Sequence, residues 1–210
     1  MEIFIVLTLL IAAYLMVIAK RLSALIRSFR QQAFLLFLFT LLEAVKTGSI
    51  GLYVVSGLLF VLKVIVVPHY LTRIARTIKI NENLGLFINP QLSLVLAMVI
   101  TYFCYVFSRQ VFGDDLTGVM FLAASLTVTF IGMFLVVFRM RALSQVIGIL
   151  VMENGLFLLA STISGGMPFF VEIAIFFDVF LSVVISAIFI YRINKVFTHV
   201  DVDKLKYLRG

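Results

Sequence analysis

The sequence predicts an all-α, polytopic membrane protein of about seven transmembrane helices, with its N-terminus outside and its C-terminus in the cytoplasm. Of the 210 residues, 63% are hydrophobic and 13% are charged, whereas a soluble domain has about 45–50% apolar and about 25% charged residues. The mean hydropathy is +1.21. The apolar residues also form long runs, each close to the roughly 20 residues that a membrane span needs.

Seven apolar runs define the predicted helices. The turn Gly48-Ser49 separates the second from the third, and a turn over residues 164–168 separates the last two. No basic leader precedes the first run, so we expect it to be a retained helix and not a cleaved signal peptide. The predicted helices cover residues 3–19, 32–47, 50–71, 91–108, 116–138, 142–163 and 168–191.

The distribution of basic residues predicts the orientation. Because cytoplasmic loops of membrane proteins are enriched in lysine and arginine, the basic side is placed in the cytoplasm. The segment 72–80, in the longest loop, is predicted to be a cytoplasmic extension or a surface helix. Of the 17 lysines and arginines, 14 lie in alternate links or in the tail: Lys20, Arg21, Arg27, Arg30, Arg73, Arg76, Lys79, Arg139, Arg141, Arg192, Lys195, Lys204, Lys206 and Arg209.

Composition argues against several classes of function. The net charge is +7, but the basic residues form short clusters between apolar runs, which is unlike a nucleic-acid-binding surface. One cysteine, Cys104, and two histidines, His69 and His199, cannot complete an iron–sulfur, nickel or closed zinc site. The chain has no glycine-rich phosphate loop and no nucleophilic triad motif. We therefore expect no cofactor in this chain and no nucleic-acid partner.

Six ionisable residues lie inside the predicted helices, where each costs about 2.5–3.5 kcal/mol at the bilayer centre. Counted from the basic residues at the cytoplasmic side, four of them reach a similar depth near the midplane on four different helices: Glu43, Lys63, Glu153 and Asp178. Glu172 and Lys46 are predicted to lie nearer the outer surface.

Two interpretations of these residues stay open. In the first, Glu153, Asp178, Glu43, Lys63 and Glu172 contribute to a lateral proton pathway, because burial favours the neutral forms of carboxylates and amines and lets them exchange protons near physiological pH. In the second, Glu43 and Lys63 only pair to hold helices together, and Asn154 adds a hydrogen bond. Glu172 fits this packing role better. Two further residues, Gly148 and Gly155, are predicted to permit close helix approach.

Five segments of the chain together carry a resemblance to a known family. They are RMRALSQVIGILVMENGLF at 139–157, PFFVEIAIFFDVFLSVV at 168–184, HVDVDKLKYLRG at 199–210, IRSFRQQ at 26–32 and LKVIVVPHYLTR at 62–73. They resemble component E of the membrane-bound group 4 nickel–iron hydrogenases (the hydrogenase-4 type). The region 116–210 is in turn similar to the K subunit of respiratory complex I and the C subunit of multisubunit sodium/proton antiporters.

This resemblance implies a division into an N-terminal four-helix membrane region, 1–115, and a K-subunit-like three-helix region with a cytoplasmic tail, 116–210. It also implies two intramembrane acids on a lateral proton path. Asp178 matches one of them. At the other, Leu150 occupies the family's glutamate position and Glu153 follows three residues later, on roughly the same helix face.

The resemblance further implies a non-catalytic subunit in the membrane arm of a hydrogenase-like or complex I-like complex that couples electron transfer to ion translocation. Its expected location is the inner membrane of a prokaryotic cell. Its expected partners are antiporter-like and quinone-site-end-like membrane subunits and soluble subunits that carry the nickel–iron and iron–sulfur centres. Two alternatives remain: a stand-alone ion-coupled secondary transporter and an inert membrane scaffold.

Overall fold

The computed structural model describes residues 2–77 and 88–163, which are helical almost throughout. All of these residues lie within one compact unit, Met1–Ala174. The all-α class predicted from the sequence is confirmed. The helices are α1 (Glu2–Ile18), α2 (Leu22–Thr47), α3 (Ile50–Leu59), a π-helical segment (Phe60–Val66), α4 (Val67–Thr77), α5 (Pro90–Phe112), α6 (Leu116–Phe138) and α7 (Ala142–Ile163).

Five helices in the described part of the chain are long and apolar enough to cross a membrane: Leu22–Thr47, Ile50–Arg76, Pro90–Phe112, Leu116–Phe138 and Ala142–Ser161. A shorter apolar helix, Ile3–Ile18, precedes them. These helices make the chain a multi-pass membrane protein. The predicted span 168–191 falls outside the described residues, so the count of seven and the orientation of the termini stay predictions, as does the division at residues 115 and 116.

Two of the predicted spans, 116–138 and 142–163, match α6 and α7. The predicted start of the second span at residue 32 is wrong, because α2 begins ten residues earlier, at Leu22. This first part of α2 is amphipathic: Leu25 and Phe29 are buried, whereas Arg27 and Arg30 on the other faces are exposed. The arginines had suggested a loop, yet they lie on a helix.

The third predicted span also continues further than expected. From α3 the chain runs through the π-helical segment into α4 and ends at Thr77, so the predicted extension over 72–80 is helical as far as it is described. At the N-terminal end of α3, the predicted tight turn Gly48-Ser49 is confirmed. Gly48 adopts a left-handed conformation with φ 63° and donates its N–H to the carbonyl of Ala44. Glycine suits this position because it has no Cβ to clash there.

Helices α6 and α7 approach so closely that side chains are excluded from part of their contact. A Cβ on Gly132 would clash with the backbone nitrogen of Met152, and one on Gly155 would clash with Thr129 Oγ1. Gly148 faces the carbonyl oxygen of Gly132. The predicted role of Gly148 and Gly155 in close helix approach is therefore confirmed, and Gly132 supplies the opposing surface.

The C-terminal end of α1 is held by a buried arginine. Arg139, which is 2% exposed, donates hydrogen bonds of 2.7–2.8 Å to the carbonyl oxygens of Met16, Val17 and Ala19. These carbonyls have no partner within their own helix, and the helix dipole makes a cation favourable there. Burial lowers the pKa of Arg139 to about 10, so the guanidinium stays charged at neutral pH. The sequence had suggested only a loop charge.

Replacement of Gly132 by alanine should destabilise the fold, because the new methyl group would meet backbone atoms of Met152 that cannot rotate away. Overpacking of this kind costs about 1–3 kcal/mol, and we expect the apparent Tm of the purified chain to fall by about 3–10 °C. Cys104 is buried and is the single cysteine, so a fluorogenic maleimide can report unfolding. Gly57→Ala is the matched control, since a Cβ at Gly57 meets nothing within 4 Å. Equal melting of the two variants would contradict the packing account.

Replacement of Arg139 by methionine should also destabilise the chain, because three helix-end carbonyls would lose their donor. We expect a loss of about 2–4 kcal/mol, measured as a lower apparent Tm in the same assay. Lysine should not restore stability, because one ammonium group cannot reproduce the planar fork of a guanidinium. The control is Arg141→Met, two residues away, where the side chain is half-buried. A wild-type Tm for Arg139→Met would show that α1 is held by its other contacts.

Candidate functional site

A buried ion pair joins the π-helical segment to α7. Lys63 Nζ lies 3.4 Å from Glu153 Oε2, and the two side chains are 3% and 6% exposed. The sequence placed these residues at the same depth, and the structure brings them into contact. A pair so far from water needs further hydrogen bonds, because its mutual attraction alone does not offset the desolvation of two charges.

Two amide side chains extend this pair. Lys63 Nζ donates a hydrogen bond of 2.9 Å to Asn154 Oδ1, and Asn154 Nδ2 donates one of 3.2 Å to Gln32 Oε1 on α2. Gln32 and Asn154 are both fully buried. Four side chains from three helical elements therefore form one polar chain, which we call the buried polar chain: Gln32, Asn154, Lys63 and Glu153.

The lysine occupies an unusual stretch of backbone. Lys63 is at the centre of the seven-residue π-helical segment Phe60–Val66, and it is the buried residue of that segment. Each turn of a π-helix closes with a hydrogen bond one residue longer than in an α-helix, as between the N–H of Val67 and the carbonyl of Leu62. Such segments are rare and are often found at functional sites. Lys63 is the one charged side chain of the segment, and it is buried in the protein interior.

The contact between α6 and α7 fixes the other half of the site. Met152 and Gly155 face α6, where Gly132 and Thr129 meet them. Glu153 and Asn154 lie between these two positions in the sequence, and on a helix they point to other faces, toward the π-helical segment and α2. The close approach at Gly132 therefore sets the position of the acidic group.

Glu43 is not part of this cluster, and the expectation that it lies level with Lys63 is wrong. Gln32 is the residue of α2 that reaches the site, and Glu43 follows 11 residues later, about 16 Å along the helix. The rings of Phe37 and Phe60, 4.9 Å apart, show the same register of α2 and the π-helical segment. Arg30 lies inside α2 and not at its end, so the number of residues from Arg30 to Glu43 does not give the depth of Glu43 in the membrane.

The packing interpretation expected an ion pair between Glu43 and Lys63, and the structure shows a different one. Lys63 pairs with Glu153, whereas Glu43 is half-buried near the Gly48 turn and makes no ion pair with another residue of the described ranges. Leu150, at the position of the family's glutamate, is buried on α7 in the same way as Glu153. Asp178 and Glu172 fall outside the described residues.

Sequence reasoning missed Gln32. It was placed at the start of a span, where an amide side chain needs no explanation. A signal was nevertheless present, because Leu22, Leu25 and Phe29 continue the apolar face of α2 backward and put Gln32 ten residues inside the helix. Within residues 2–77 and 88–163, no group of three or more histidine, cysteine, aspartate or glutamate side chains could hold a metal ion.

Comparisons with known proteins agree with the resemblance inferred from sequence segments. The uncharacterized protein Rv0085 of Mycobacterium tuberculosis is 26% identical over 204 residues, which cover 96% of this chain and 92% of the relative. Hydrogenase-4 component E of Escherichia coli K12 is 29% identical over 156 residues, covering 74% of this chain and 72% of the relative. The component E of Shigella flexneri matches to the same extent. Neither a protein-family model nor a solved structure matches the chain.

The buried polar chain lies on segments that carried the predicted resemblance, 26–32, 62–73 and 139–157. Similarity over about three quarters of the chain, in a protein built of long apolar helices, confirms that resemblance: the chain is a homologue of hydrogenase-4 component E.

Proposed function

We propose that this protein is a non-catalytic membrane subunit of a hydrogenase-like, energy-converting complex in the inner membrane of a prokaryotic cell, and that Lys63 and Glu153 carry protons within it. The observation that supports the proposal most is the pair itself, a lysine and a glutamate 3.4 Å apart and almost fully buried. Homology to hydrogenase-4 component E supports the assignment to such a complex.

The chemistry of the pair suits proton transfer. The ammonium group of Lys63 can pass a proton to the carboxylate of Glu153, which converts two charges into a neutral amine and a neutral carboxylic acid. At such a buried position the charged and neutral forms of the pair differ less in free energy than they do in solution, because desolvation penalises both charges. The distance of 3.4 Å is slightly longer than a hydrogen bond, so a small approach of the side chains precedes the transfer.

The remaining parts of the pathway are proposed from the sequence. Asp178 and Glu172 would extend the path toward neighbouring membrane subunits of antiporter-like and quinone-site-end-like type. Glu43, which lies about 16 Å beyond Gln32 along α2, would serve only as an entry or exit group near the C-terminal end of the helix. Electron transfer would take place on soluble partner subunits that hold the nickel–iron and iron–sulfur centres.

The substitution Lys63→Arg tests the proton role directly. Arginine keeps the positive charge and the pairing with Glu153 but does not release its proton in proteins. We expect the number of protons moved per electron to fall by about tenfold or more, while the complex still assembles. The measurement is the initial rate of proton uptake into membrane vesicles that contain the whole complex, divided by the electron-transfer rate.

The matched control is Lys20→Arg, the same substitution at an exposed residue between α1 and α2, and it should behave as wild type. Glu153→Gln, which keeps the shape of the side chain, should reduce proton uptake in the same way as Lys63→Arg. Full coupling in both Lys63→Arg and Glu153→Gln would sink the proposal. It would favour a scaffold role, in which the pair only joins α7 to the π-helical segment.

A further inference from the structure

The orientation of two buried amides follows from the charge of Lys63. An ammonium group only donates hydrogen bonds, so the atom of Asn154 that lies 2.9 Å from Nζ must be its oxygen. The Asn154 nitrogen is then turned to Gln32, which must present its oxygen in return. The direction of both hydrogen bonds from Lys63 to Gln32 is thereby determined by one positive charge.

This direction leaves a donor at the end of the chain. The Gln32 side-chain nitrogen, Nε2, is buried and has no hydrogen-bond partner in the part of the protein that the structure describes. Turning the amide round would give Nε2 no better position, because it would then face the nitrogen of Asn154. A fully buried N–H group without an acceptor is costly, and in native proteins an ordered water usually supplies the acceptor.

We propose that a buried water molecule is bound at Gln32 Nε2, and that Gln32 and Asn154 are positioning residues that hold an amide oxygen against the ammonium group of Lys63. The water accepts a hydrogen bond from Nε2. Ser28, one turn earlier on the same side of α2 and also buried, offers a second polar partner. The positioning role rests on the proposed function; the water site does not.

In this role Gln32 and Asn154 orient an amide oxygen toward Lys63, which packing alone would not require. Lys63 already selects the oxygen of Asn154, and Gln32 reinforces this orientation by accepting a hydrogen bond from the Asn154 N–H. Without Gln32 that buried N–H would lose its acceptor, and Asn154 would be held less firmly against Lys63. The loss of Gln32 should therefore disturb proton exchange between Lys63 and Glu153 even though Gln32 touches neither residue.

The water site is tested on the unmodified protein. The full chain, reconstituted in lipid bilayers with nitrogen-15-labelled glutamine, is studied by solid-state NMR with magnetisation transfer from water to side-chain amides. We expect a water signal at Gln32 Nε2, assigned by its disappearance in Gln32→Met. The absence of transfer to this fully buried amide would overturn the water site whatever the activity of the complex.

The positioning role is tested in the complex by Gln32→Met, which keeps the length of the side chain but removes its amide. We expect about a tenfold lower proton uptake per electron. The matched control is Gln31→Met, the same change at the exposed neighbouring glutamine, which should stay within about twofold of wild type. Gln32→Glu keeps an oxygen that accepts from Asn154 and should recover most of the rate. The Cys104 unfolding assay checks that each variant is folded.

The outcomes separate the two proposals. Wild-type coupling in Gln32→Met, together with impaired coupling in Lys63→Arg, overturns the positioning role and leaves the proton role of the pair intact. Equal loss in Gln32→Met and Gln32→Glu also overturns it, because the oxygen that orients Asn154 would then be irrelevant. Full coupling in Lys63→Arg and Glu153→Gln overturns the proposed function itself, while the NMR signal still decides whether the water is there.

Discussion

Burial of two opposite charges away from bulk solvent is the constraint on which this structure depends. Lys63 and Glu153 are acceptable inside a bundle of apolar helices only because each faces the other and because amides complete the surroundings of the lysine. The requirement links three elements that are distant in sequence, since α2, the π-helical segment and α7 must all be in place before the charges are compensated. A buried ion pair of this kind therefore also helps to specify which helices pack against one another.

The precision of the site comes from contacts that are not themselves polar. α7 is pressed against α6 where Gly132 leaves room for the backbone at Met152, and this places the next residue, Glu153, at a fixed distance from α2 and the π-helical segment. Arg139, in the link between α6 and α7, donates hydrogen bonds to the carbonyls at the C-terminal end of α1. The same short region of chain thus anchors the first helix and begins the helix that carries the acid.

Much of the fold could be predicted from the sequence, because lipid permits so few structures. Long apolar runs located α6 and α7 to the residue, and the turn at Gly48 followed from composition. The start of α2 could not be found in this way, because Arg27 and Arg30 on a partly exposed face of a helix have the same composition as a loop. Because the start of α2 was predicted ten residues too late, Glu43 was expected at the site and Gln32 was not. The sequence predicted that Lys63 and Glu153 lie at the same depth, but not that they form a pair. Counting residues along separate helices does not reveal which helix faces are in contact.

The π-helical segment has a consequence for the comparison of relatives. A wider helical turn holds one more residue than an α-helical turn of the same span, so the loss of a single residue within Phe60–Val66 would restore regular geometry there. Because the wider turn absorbs the extra residue, α3 and α4 would keep about the same relative orientation after such a deletion, and the change would be confined to the positions within the segment. In this segment a gap of one position would mark a relative in which the wide turn around Lys63 is absent.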